Sequence, residues 1–250
     1  MIKMSRMRNR PWLTLAFVPL ALLGVGSGQA PAIDNPAVVA QARPGSWLKQ
    51  HEGYVAVASR GNVDLLFLGD SITALWDKTG PAVWSRYYGP RKAANFGIGG
   101  DRTQHVLWRI DHGELDGIKP KVVVLMIGTN NIPHQPEDQV FEGIKAVIDR
   151  VQARLPDAKI LLLGLTPRGI NRDPKQITTA PDPRISAINA RLAKLEAVPK
   201  LRYLDLGPAL LDGSGQLVQA TQPDFLHLGR KAYQTWADMM EPMLWEMMGE

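Results

Sequence analysis

Five short apolar runs, at 63–68, 92–96, 122–127, 160–165 and 201–206, punctuate the chain. Each fits a strand in a sheet covered on both faces. Segments of helical period lie between them. Thr103–Asp111 sets Val106, Leu107 and Ile110 on one side, and 136–155 repeats Val140, Ile144, Val147, Ile148 and Val151. Residues 183–197 and 229–248 complete the set. The last carries Trp236, Met239, Met240, Met243, Leu244 and Met247, a stripe that reads as core packing and not as a cofactor box. Upstream, Ser46 to about Arg60 reads as an amphipathic helix that partly buries Trp47, Val55 and Val57, with Gly53 weakening it. Strands alternating with helices predict right-handed crossovers and a parallel α/β sheet.

The chain has 250 residues, 45% hydrophobic and 21% charged, enough for one sizeable core. Its net charge of +5 invites a polyanion partner, but the distribution argues against one. Lys3, Arg6, Arg8 and Arg10 face no acidic residue within residues 1–30, and the remainder carries only +1. Nucleic acid is therefore not expected as a partner. Those 30 residues read as a secretory signal peptide: a basic stretch to Arg10, an apolar stretch from Trp12 to about Val25, then Gly28 and Ala30 before a cleavage site. The apolar stretch falls short of the roughly 18–20 residues that a spanning helix needs, and Pro19 and Gly24 weaken it as a stable span. Export to the periplasm or the exterior is the expectation, with no stable membrane span in the mature form. Residues 31–60 read as a flexible leader and an N-terminal helix, and 61–250 as the main domain. With no cysteine, disulfides, thiolate nucleophiles and thiolate metal ligands are excluded.

The chemistry gathers where strands end. Gly69-Asp70-Ser71 closes the first strand, Asn95-Phe96-Gly97-Ile98-Gly99-Gly100 the second, and Gly128-Thr129-Asn130-Asn131 the third. In open parallel sheets that edge is where ligands bind. Any one of these could be a plain turn, since Gly, Asp, Ser and Asn all favour turns. Together they offer a hydroxyl and donors for an oxyanion. A serine hydroxyl needs a base, and His227 stands three residues after Asp224, on the turn before the last helix. Asp224 there could hold the imidazole toward Ser71. A lone Asp-x-x-His is common by chance, and Asn130 alone would more often cap a turn. His51 and His112 lie outside the motifs, His105 and His134 lack a comparable carboxylate arrangement, and all four read as surface or packing residues. Residues 166–183, rich in Pro, Arg, Asn and Asp, read as a long surface loop that could shape a cleft.

Ser71 in Gly-Asp-Ser-Ile-Thr, Gly100 in Asn-Phe-Gly-Ile-Gly-Gly, Asn130 in Gly-Thr-Asn-Asn and His227 in Asp-Phe-Leu-His form a specific set. The chain resembles the SGNH (GDSL-type) hydrolase superfamily from about Val63 to the last helix. Within it, 95–101, His105 to Arg109, Gly113-Glu114-Leu115, Lys119-Pro120-Lys121, Pro167-Arg168-Gly169 and 224–228 resemble the group related to the catalytic α subunits of platelet-activating-factor acetylhydrolase. That resemblance implies a three-layer α/β/α sandwich, flavodoxin-like, with a parallel five-stranded sheet in the order 2-1-3-4-5. It implies ester hydrolysis without metal or cofactor. It assigns Ser71 as nucleophile with Asp224 and His227 as partners, and Ser71 N–H, Gly100 and Asn130 as oxyanion donors.

The expected function is a secreted serine esterase acting on short acyl groups, acetyl foremost, of a small-molecule or glycan ester. The alternatives are a carbohydrate O-acetylesterase, a lysophospholipase or thioesterase, and a non-catalytic binding relative. Retention of Ser71, Asp224 and His227 argues against the last. The resemblance includes dimers and leaves a homodimer open.

Overall fold

The computed structural model describes residues 35–170 and 178–250. The expected signal peptide and the central residues of the 166–183 loop lie outside the described residues. The strands are β1 (Leu65–Gly69), β2 (Ala93–Gly97), β3 (Val122–Met126), β4 (Lys159–Leu163) and β5 (Leu201–Leu204). They form one parallel sheet in the order β2-β1-β3-β4-β5. The helices are α1 (Ser46–Ala58), α2 (Ser71–Ala74), α3 (Trp76–Thr79), α4 (Pro81–Tyr87), α5 (Thr103–Asp111), α6 (Glu137–Arg154), α7 (Pro183–Leu192) and α8 (Arg230–Met248).

Every residue of β1 and β3 is buried, as expected for strands covered on both faces. The two-residue period of a strand divides them between two cores. Leu66, Leu68, Val123 and Leu125 pack with Val106 and Ile110 of α5 and with Ile144, Val147 and Val151 of α6. Leu65, Phe67, Val122 and Val124 pack on the other face with Trp76, Tyr233, Trp236 and Met240. The methionine and tryptophan stripe of α8 is therefore core, as its pattern predicts.

Three differences from the sequence reading have local causes. The helix expected over 183–197 ends at Leu192 and continues as a 3₁₀ turn, Ala193–Ala197. The crossover from β1 to β2 holds three short helices, α2, α3 and α4, none of which a helical period marks in the sequence. Gly80-Pro81 starts α4 and Gly89-Pro90 follows it, so no piece is long enough to show a period.

The third difference concerns the leader. Residues 35–44, read as flexible, are laid over α5 and α6. Asn35 caps a 3₁₀ turn, Pro36–Val38, and donates through Nδ2 to Gln139 O. Ala37 is fully buried, its carbonyl accepting from Thr103 Oγ1 at 2.7 Å, and Gln41 N–H donates to Gln104 O.

Beneath this strap lies a buried ion cluster. Arg109 of α5, wholly inaccessible, donates to Asp101 Oδ2 at 2.6 Å and to both oxygens of Glu114 at 2.6 Å. It also donates to Phe96 O. Removing one partner of such a cluster strands the others as uncompensated buried charges. Arg109→Met is expected to cost about 3–5 kcal/mol in urea unfolding; a loss below about 1 kcal/mol would mean that the acids find other partners.

Candidate active site

The nucleophile candidate is placed by the end of β1. Gly69 closes the strand, and Asp70 caps α2 by accepting Ile72 N–H at 2.9 Å. Ser71 is the first residue of that helix, so its N–H is among those with no acceptor inside the helix. Gly97 at the end of β2 lets α2 sit close: a Cβ there would lie 2.3 Å from Ala74 N. The Ser71 helix and the end of β2 are thus packed together.

Ser71 Oγ lies 3.1 Å from His227 Nε2, and His227 Nδ1 lies 2.7 Å from Asp224 Oδ2. Asp224 Oδ1 also accepts the amides of Leu226 and His227, which folds the carboxylate back over its own turn. Phe225, between them, takes a left-handed φ of 54°, a strained conformation for a bulky residue. Gln222, fully buried, ties the turn down by donating to Pro167 O and Leu226 O. Burial works to raise the Asp224 carboxyl, but hydrogen bonds from the His227 ring and from the His227 and Leu226 amides hold it below the usual carboxylate range.

The oxyanion candidates share one loop system. Asp101 N–H closes a turn on Ile98 O, with Gly100 at φ +77° in its third position, while Gly99 keeps a negative or extended φ. That is a type II turn. A Cβ built on Gly99 would meet Ser71 Cβ at 3.9 Å, so the turn adjoins Ser71. Asn130 Nδ2 donates to Asp101 O at 2.9 Å, which aligns its amide with the same turn and leaves the second N–H for another acceptor. The capping duty considered for Asn130 falls to Asn131. Its buried side chain accepts Thr103 N–H at the start of α5 and donates to Gln104 and Gln135.

The remaining histidines do not compete for the base role. His51 is buried and donates through Nε2 to His112 O. His105 lies nearer a carboxylate than its sequence suggests, 3.7 Å from Asp101. Its Nδ1, however, accepts Arg102 N–H, and burial with nearby Arg43, Arg102 and Arg109 lowers its pKa to about 4. His112 and His134 are exposed. Among the described residues, no group of three or more His, Asp or Glu could hold a metal ion.

A serine, a base aimed by an acid, and backbone donors beside them can carry acyl transfer. The profile of the GDSL-like lipase/acylhydrolase family matches residues 67–235. The chain belongs to that family. It is a carboxylic ester hydrolase. It is 36% identical over 209 residues to the platelet-activating factor acetylhydrolase IB subunit alpha1 of Rattus norvegicus, covering 83% of this chain and 86% of that one. It is 34% identical over 222 residues to the alpha2 subunit of Gallus gallus, covering 86% and 93%. Its fold is shared with an acylhydrolase structure from Bacteroides fragilis (TM-score 0.65, 23% identity, 79% of this chain and 96% of that one). A carbohydrate acetylesterase family member from Sinorhizobium meliloti gives a TM-score of 0.57 at 16% identity, covering 74% and 99%.

In this acylhydrolase a cleft of about 610 Å³ opens over Ser71 and His227, walled by Gly97, Gly99, Tyr54 and Lys78. A separate apolar cavity of about 520 Å³, between Leu165, Pro167, Ile185 and Pro208, touches none of Ser71, Asp224 and His227. Tyr54 of α1 donates to Gly97 O at 2.7 Å, and burial raises its hydroxyl to about 12. The sequence reading did not place Tyr54 at the site, nor Arg168, which is buried and donates to Thr129 O beside Asn130. The stems of the 166–183 loop are likewise pinned, Gly169 pairing antiparallel with Pro181. Only motif spacing could have hinted at Arg168; nothing in the local pattern marks Tyr54.

Asp70 adjoins the nucleophile and is fully buried, and burial pushes its carboxyl up to about 7. Its folded-state pKa therefore exceeds the ordinary value of about 3.9. The stability that Asp70 contributes is fully present below about pH 4 and is lost as pH climbs through about 7. Asp70→Asn keeps an oxygen for Ile72 N–H and cannot ionise. Its melting temperature relative to the native protein should rise steadily from pH 4 to pH 7 in thermal melts. Parallel curves for the two proteins would show that ionising Asp70 carries no penalty.

Proposed function

We propose that this protein cleaves short-chain carboxylic esters, acetyl esters foremost, through Ser71, His227 and Asp224 and an acyl-enzyme intermediate. The observation that carries this reading is the unbroken line Ser71 Oγ, His227 Nε2, His227 Nδ1, Asp224 Oδ2, with contacts of 3.1 and 2.7 Å. Ser71 Oγ attacks the ester carbonyl carbon while His227 Nε2 accepts its proton. Asp224 holds the Nδ1–H tautomer and stabilises the imidazolium that forms. Negative charge on the carbonyl oxygen is met by the N–H groups of Ser71 and Gly100 and by Asn130 Nδ2. The imidazolium then protonates the departing alcohol. Water repeats the cycle on the acyl-enzyme, with His227 as base, and releases the acid and free Ser71.

The acetyl preference is supported by the acetylhydrolase names of relatives with which the chain shares about a third of its residues over most of its length. Export is supported by the basic, apolar and small-residue order of residues 1–30. N-terminal sequencing of the protein recovered from outside the cytoplasm should begin near residue 31; recovery with Met1 intact would refute cleavage there.

Activity is tested on p-nitrophenyl acetate, butyrate and octanoate with the native protein, Ser71→Ala and Asp224→Asn. Turnover should fall as the chain lengthens, drop by at least about 10⁴-fold in Ser71→Ala, and drop less in Asp224→Asn. Preference for octanoate would overturn the short-chain reading. Turnover that survives in Ser71→Ala would overturn the nucleophile.

A further inference from the structure

The segment ahead of the family match reaches into the oxyanion turn. Arg43, at the end of the strap, donates through Nη1 to Gly99 O at 2.8 Å and to Asp101 Oδ1 at 2.8 Å. The Gly99 carbonyl belongs to the same planar peptide as the Gly100 N–H. In a type II turn this central peptide is rotated by about half a turn from its type I orientation, so holding its carbonyl decides where its N–H points. With the carbonyl drawn toward Arg43, the trans peptide directs Gly100 N–H away from the guanidinium. The same contact polarises the peptide and makes the N–H a better donor.

The guanidinium is itself held fast. Its acceptor Asp101 is fully buried and fixed on its other sides by Trp47 Nε1 at 2.7 Å and Arg109 Nη1 at 2.6 Å. A Cβ on Gly100 would come within 3.3 Å of Arg43 Nη2, a tight contact at a residue whose φ of +77° already favours glycine. We propose that Arg43 is a positioning residue that latches the Gly99–Gly100 peptide in the orientation that presents Gly100 N–H to the reacting carbonyl oxygen. This rests on the reading of Gly100 as an oxyanion donor. Arg43 acts through that peptide and needs no contact with substrate.

Arg43 is about a third exposed, so truncation leaves no buried void. The test compares Arg43→Ala, Arg43→Lys and the native protein on p-nitrophenyl acetate, with melting temperatures alongside. An oxyanion donor acts in the transition state and is worth about 10²–10³ in kcat. Arg43→Ala should therefore lose about 10–100-fold in kcat at nearly constant KM; its melting temperature falls as Asp101 loses one of three donors, but the loss in kcat should persist at temperatures where the variant is fully folded. Arg43→Lys should recover part of it, and added guanidinium should partly rescue the alanine variant at concentrations that leave the native rate unchanged. A crystal structure of Arg43→Ala gives a readout free of turnover: the Gly99 carbonyl should be turned or doubly oriented. An unchanged peptide plane with native kcat overturns the latch, as does a raised KM at constant kcat, which would make Arg43 a substrate-binding cation. Should the native protein show no Ser71-dependent turnover, the esterase reading fails by itself, and the peptide orientation in the variant still decides the latch.

Discussion

The Asp101 carboxylate is the fixed point of this molecule. It is inaccessible to solvent and receives Arg109 from α5, Trp47 from α1 and Arg43 from the strap. Burying a carboxylate is costly unless every lone pair finds a donor, and here three donors from three segments converge on it. Such an arrangement tolerates few geometries. The turn from Ile98 to Asp101 inherits that rigidity, because its last residue cannot move without breaking all three contacts. Arg109 carries the constraint onward to Phe96 O and Glu114, so β2, its turn and the loop after α5 behave as one unit.

The two sides of the cleft are built on different physics. The turn side rests on charge, and its cost is desolvation. The Asp224–His227 side is more exposed; it is shaped by the left-handed backbone at Phe225 and by Gln222 bridging to Pro167. Strain at a functional turn is kept only where surroundings over-determine it. Leu226 and Leu228, buried on either side of His227, supply that restraint by anchoring the turn in the core. Ser71, the first residue of α2, lies between the two sides: its Oγ is 3.1 Å from His227 Nε2, and its Cβ adjoins Gly99.

The sheet was legible because its strands are uninterrupted apolar runs, and the helices after β2, β3 and β5 because each holds its period for nine residues or more. The short helices of the first crossover carried no such period. At the site, the meeting of Ser71, His227 and Asp224 was legible because hydroxyls at strand ends and imidazoles three residues after a carboxylate are few in this sequence. Arg43 and Tyr54 were not legible. Their roles arise from tertiary contacts 56 and 43 residues away in sequence, which no local pattern encodes. The Pro- and Ala-rich composition around Arg43 pointed to a flexible leader, and composition is blind to the few hydrogen bonds that dock Ala37 and Gln41 onto α5.

Those contacts change how the site should be divided. The family match begins at residue 67, within β1, and spans Ser71, Asp224 and His227, the groups proposed to attack the carbonyl and exchange the proton. The strap and α1 lie before it, yet they supply Arg43 and Trp47 to the turn beside Ser71 and Tyr54 to the end of β2 that leads into it. Bond-making residues are confined by chemistry to a few types, whereas a peptide plane can be held by any donor that reaches its carbonyl. The anchoring of the turn is therefore the part of this architecture freest to be built from a neighbouring segment. In this chain that segment is the strap, which buries Ala37 against α5 and carries Arg43 to the Gly99 carbonyl.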